Sequence, residues 1–133
     1  MPKPSKPNSS PSGLKAYLTL SLPPMSKQRP RSMIINGRIH THHTHEYLDW
    51  LSAAESEFKQ QWGSNPPIKK AIKVSIQLWG NHAGSDVDNM SGSALDALVK
   101  AGVLSKDNVN CVPHLEVAWE RSKSPCVEVW IDY

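Results

Sequence analysis

Residues 72–107 read IKVSIQLWGNHAGSDVDNMSGSALDALVKAGVLSKD. Ile72, Val74, Ile76 and Leu78 alternate with Lys73, Ser75 and Gln77, the two-residue period of a strand with one buried face. A polar loop, Gly80 to Ser85, leads to Asp86-Val87-Asp88-Asn89. From about Asp88 to about Lys100 the spacing is that of a helix with Leu95 and Leu98 inward, and Gly102 stands where a left-handed C′ residue is expected.

The flanking sequence extends this unit into a fold. Leu14, Ala16, Leu18, Leu20 and Leu22 alternate with Lys15, Tyr17, Thr19 and Ser21, a strand that Pro23-Pro24 ends, and residues 25–31 (MSKQRPR) form a basic loop. Asn36-Gly37 between apolar runs predicts a hairpin, because both residues tolerate the positive φ of a type I′ turn. Thr44 is placed to cap a helix with Glu46 in its first turn; Tyr47, Leu51, Ala54, Phe58 and Trp62 then share one face, and Gly63 to Pro67 ends it. Leu115, Val117 and Trp119 predict one more strand and Val127, Val129 and Ile131 another, joined as a hairpin through Arg121–Pro125. The order β, β-hairpin, α, β, α, β, β predicts an α+β fold: a mixed, mainly antiparallel sheet with two helices packed on one face. Residues 1–13 (MPKPSKPNSSPSG) are expected to be a disordered tail ahead of a single domain at 14–133.

Composition narrows the function. A chain of 133 residues suits one domain. No stretch approaches the ~18 apolar residues of a membrane span, and no apolar run precedes a small-residue cleavage site near the N-terminus. Cys111 and Cys126 show no CxxC spacing, so a reduced, cytoplasmic setting is expected, with free thiols that adjoining strands would make neighbours. The net charge of +3 hides a division: residues 1–45 carry Lys3, Lys6, Lys15, Lys27, Arg29, Arg31 and Arg38 with no acid, whereas residues 46–133 carry eight Lys or Arg against twelve Asp or Glu. A basic segment attracts polyanions, and clustered carboxylates hold metal ions.

Asp86 and Asp88 follow a strand, a rigid support. Mg²⁺ needs few carboxylates, with waters and substrate phosphates completing its octahedron. Should the following helix double back, Asp107 returns to the neighbourhood of Asp86, and three carboxylates around one or two ions would serve phosphodiester hydrolysis. The same residues have plain structural uses: Asp88 as an N-cap, Asp86 as a loop acceptor, Asp107-Asn108 as a turn.

The ungapped run from Asp86 to Asp107 resembles the RusA family of Holliday-junction resolvases. Members carry a D-x-D-N pair, a helix with L/F-D-A-L and K-A-G, and an acidic pair closing on Asp. Here these are Asp86-Val87-Asp88-Asn89, Leu95-Asp96-Ala97-Leu98, Lys100-Ala101-Gly102 and Asp107. Lys27-Gln28-Arg29-Pro30-Arg31 matches a basic K-x-R-P-R segment found in many members, and residues 14–133 can be placed on the family's plan. The resemblance implies an endodeoxyribonuclease dependent on Mg²⁺ (or Mn²⁺) that acts as a homodimer on four-way junctions, making paired nicks in DNA recombination and repair. It assigns Asp86, Asp88 and Asp107 to metal binding and catalysis, and Asn89 and Asp96 to supporting positions. Two residues depart from the pattern: Gly92 stands where a functional lysine is common, and Lys106 where an acid often precedes the final Asp. Lys100 or Lys106 is expected to supply the missing charge.

Lys27, Arg29 and Arg31 are expected to contact DNA phosphates, which position a duplex without reading its sequence; a solvated basic loop is the plain alternative. A twofold homodimer presents two equivalent sites to the two equivalent strands of a junction. For His40, His42, His43 and His45 a zinc site, phosphate contact and simple exposure are weighed, with exposure favoured. His82 and His114 are isolated, and the five Trp are assigned to the core or a dimer interface. Two other functions compete with the enzyme. A non-cleaving branched-DNA-binding protein on the same fold is favoured by Gly92. An interaction protein whose acids only cap and turn predicts Asp86 and Asp107 farther apart than about 12 Å, too far to share ions.

Overall fold

The computed structural model describes residues 13–27, 31–42, 44–81 and 86–133. The expected N-terminal tail, Arg29, His43 and His82 lie outside these residues, as do the side chains of Arg31, His40 and His42. The elements run β1 (Lys15–Leu20), β2 (Arg31–Ile35), β3 (Arg38–His42), α1 (His45–Trp62), β4 (Lys73–Gly80), α2 (Val87–Lys100), β5 (Leu115–Arg121) and β6 (Cys126–Asp132). Every element read from the periodicity is present and in order. Four strands form one mixed sheet in the order β1-β6-β4-β5, and β2 and β3 form a separate two-stranded sheet.

Local chemistry accounts for most boundaries. The β2–β3 turn has positive φ at Asn36 (52°) and Gly37 (77°), as the Asn-Gly pair demands. Thr44 caps α1, its hydroxyl accepting the Tyr47 amide at 3.2 Å. Tyr47, Leu51, Ala54, Phe58 and Trp62 are all buried, with Trp50 beside them. On the sheet, Leu18, Leu20, Val74, Ile76, Leu78, Val127, Val129 and Ile131 are buried. They meet the apolar faces of both helices, and each large side chain so buried contributes ~1.5–3 kcal/mol. On the opposite sheet face Tyr17 and Trp130 are exposed, their rings 5.2 Å apart.

One connection departs from the sequence reading. β5 and β6 are not paired as a hairpin; both pair with β4, which lies between them. β5 runs parallel to β4 because α2 carries the chain back across the sheet before β5 begins. Ser122 to Pro125 must then pass over the end of β4. Four residues reach at most ~14 Å, enough to cross two strand spacings of ~4.8 Å each. The Ser122 amide donates to the Gly80 carbonyl at 2.8 Å and fixes that crossing. Gly80 permits close approach: a Cβ there would lie 2.8 Å from Trp119 Nε1.

The same topology separates the cysteines. Cys111 lies near the start of β4, its carbonyl accepting the Ala71 amide, while Cys126 pairs with Trp79 at the other end. Both thiols are free and they are not neighbours. Among the described residues, no helix is long and apolar enough to cross a membrane.

Candidate active site

α2 begins one residue earlier than its apolar pattern indicates, so Asp86 and not Asp88 occupies the N-cap position. Asp86 has the extended backbone of a cap, yet its carboxylate makes no bond to the helix amides. The Asn89 side chain donates to that carboxylate at 3.4 Å. Asp88 lies in the first turn, and its carbonyl accepts the Ser91 hydroxyl at 2.9 Å. Both carboxylates are exposed. Their nearness follows from local sequence: two acids two residues apart where a strand hands over to a helix. The helix N-terminus adds a partial positive charge that favours negative groups beside it.

Asp107 is elsewhere. α2 has 14 residues, about 21 Å of helix. It runs back along β4, and beyond it Leu104 bridges to Ile68, ahead of the β4 start. Asp107 follows, exposed, lining a cavity of about 520 Å³ with Tyr47, Asp96, Val99, Lys100 and Lys106 among its walls. The expected return of Asp107 to the Asp86 pair therefore does not occur within one chain. Among the described residues, no group of three His, Cys, Asp or Glu side chains is placed to hold a metal ion. The physical reason is the parallel β4–β5 pairing, which requires the crossover to return the chain to the end of the sheet where β4 starts.

Two carboxylates at one edge nevertheless suit a hard divalent cation. Mg²⁺ is commonly held by one or two protein carboxylates, with waters and substrate phosphates supplying the rest. Asp86 fits this use because its carboxylate makes no bond to the helix amides.

The expected substitutes for a lysine at position 92 do not lie beside it in the same chain. Lys100 ends α2 and Lys106 follows it, both at the Asp107 end. The cation that does lie against Gly92 is Lys27, whose Cδ is 3.7 Å from where a Gly92 Cβ would stand. The Lys27 amide donates to the Asn89 carbonyl at 3.1 Å, and its ammonium pairs with Asp96 Oδ2 at 2.9 Å. The same carboxylate oxygen accepts the Tyr47 hydroxyl at 2.6 Å. Tyr47 is buried, and burial, then the Asp96 hydrogen bond, raise its hydroxyl pKa well above 10.0. Asp96 thus has a defined supporting role toward both helices. Sequence reading placed Lys27 on a basic loop and Asp96 on a helix, but no spacing rule joins them.

The remaining candidates are dispersed. His45 is the exposed first residue of α1, and His114 lies 3.3 Å from Glu116 on β5. Trp50 and Trp62 are core residues, and Trp130 is exposed on the open sheet face.

Comparison with known proteins adds one positive finding. The family model described as endodeoxyribonuclease RusA matches residues 21–132, a span that includes the basic segment, both helices and all three matching acids. No curated protein matches the chain.

Proposed function

The chain belongs to the RusA family of endodeoxyribonucleases, and from that premise we propose that it resolves four-way DNA junctions by paired, Mg²⁺-dependent nicks during recombination and repair in the cytoplasm. The observation that carries the reading is the exposed Asp86–Asp88 pair at the β4–α2 junction, with Asp86 free of capping duty. These two residues would hold the ion. Bound there, Mg²⁺ or Mn²⁺ supplies a more acidic water and neutralises charge developing on the leaving oxygen. Asn89 orients Asp86 through its side-chain amide. Lys27, Arg29 and Arg31 bind phosphates and set the strand across the acids.

Asp107 belongs to this reading through a second copy. A twofold dimer whose axis passes across the middle of α2 would bring the start of one α2 beside the end of its mate. In that arrangement the Asp107 of each chain completes the acids of the other. Separation of Asp86 from Asp107 is also what an interaction protein with merely capping acids requires, but membership in a nuclease family weighs against that function.

The deciding experiment incubates the protein with a synthetic four-way junction, with and without Mg²⁺, beside Asp86→Asn. Symmetric nicks from the wild type alone, and only with metal, are expected. Gly92 favours a second reading, a branched-DNA-binding protein that does not cleave; junction binding without nicks would establish it in place of the enzyme.

A further inference from the structure

Asn89, Gly92 and Asp96 fall at i, i+3 and i+7 of α2, a single stripe along the helix. Lys27 lies on that stripe. Its amide is bonded to Asn89, its stem lies 3.7 Å from where a Gly92 Cβ would stand, and its ammonium ends on Asp96. Gly92 is therefore the floor of a groove: a small side chain would touch the lysine stem, and a longer one would displace it. Asp96 is held from behind by Tyr47 of α1. A loop lysine is in this way fixed to the helix that begins with Asp86 and Asp88.

An ammonium has three donors. Asp96 occupies one, and the Lys27 side chain is still 39% exposed, against 21% for Asp96. Lys27 can accept a phosphate without leaving its anchor, so its side-chain entropy is already spent before DNA arrives.

We propose that Lys27 grips the substrate backbone from a fixed position on α2, and that Asp96 is the positioning residue that fixes it. The inference rests on the nuclease reading and deepens it. Asp96 itself touches no substrate; it acts through Lys27.

The test is a double-mutant cycle of Lys27→Ala and Asp96→Asn in the full chain, read on nicking of a four-way junction and on junction affinity without metal. Asn at 96 keeps an acceptor for the Tyr47 hydroxyl and removes the charge. Each single variant is expected to lower the nicking rate about tenfold, and the double variant to be no worse than Lys27→Ala alone, because the two residues act as one unit. Affinity is expected to show the same non-additivity, with thermal stability of Asp96→Asn close to wild type. Additive losses in both readouts would overturn the proposal, as would an Asp96→Asn effect that survives unchanged when Lys27 is already alanine. If the wild type binds junctions without cutting them, the nuclease reading fails, and the affinity cycle alone decides the anchoring of Lys27.

Discussion

Asp86 stands at the N-cap of α2, whereas Asp107 follows its far end and lines a cavity with Tyr47 and Asp96. Lys27, by contrast, joins the basic segment to the acidic start of that helix within the same chain.

The first relationship predicts complementation between two inactive proteins. Asp88→Asn and Asp107→Asn homodimers should each fail to nick a junction. After mixing and subunit exchange, the heterodimer keeps one intact site, built from the unaltered Asp88 of one chain and the unaltered Asp107 of the other. Single nicks should reappear in the mixture. Acids that worked within one chain would leave both sites of the heterodimer dead, and no activity would return. The measurement is a junction-nicking assay on the mixture and on each parent.

The basic segment predicts a change in salt dependence. Each phosphate contact steepens the slope of log affinity against log salt by about 0.9. Arg29→Ala with Arg31→Ala should therefore flatten the slope by about 1.8 if both side chains contact phosphate. Titrations of a labelled junction across a salt series give the slope directly; an unaltered slope would remove both arginines from the interface.

Tyr47 predicts an alkaline limb of stability. Burial and then the Asp96 hydrogen bond favour its neutral form in the fold, raising its pKa above the ordinary 10.0. The stabilisation is complete below that ordinary value. As pH rises past it, the unfolded chain ionises while the folded one does not, so stability falls until the folded value is passed. Tyr47→Phe should lose about 1 kcal/mol at neutral pH and show a flatter decline between about pH 9.5 and 11.5. Denaturant midpoints of both proteins across that range check it, and parallel declines would show that Tyr47 does not set the limb.

Much of this was legible locally. The β4 alternation, the Asn36-Gly37 turn, the Thr44 cap and the apolar stripe of α1 depend on neighbours a few residues apart, and the structure has them all. The Asp86–Asp88 pair was legible for the same reason. The β5–β6 hairpin was not, because a short polar link reads alike whether two strands pair with each other or flank a third. The position of Asp107 is not legible either, because it depends on where a crossover helix ends, and the parallel β4–β5 pairing puts that end near the start of β4. The approach of Lys27 to Gly92 is not legible for the same reason, since residues distant in the chain meet only after the sheet has formed.

The sequence by itself determined the secondary-structure order, the α+β class, the family motif and the strand end from which two carboxylates emerge, because periodicity, capping and turn chemistry act over one or two turns of chain. The tertiary structure alone decided which strands pair, which end of α2 carries Asp107 and which lysine lies on the helix, because these follow from chain crossings and long-range packing that no local spacing encodes.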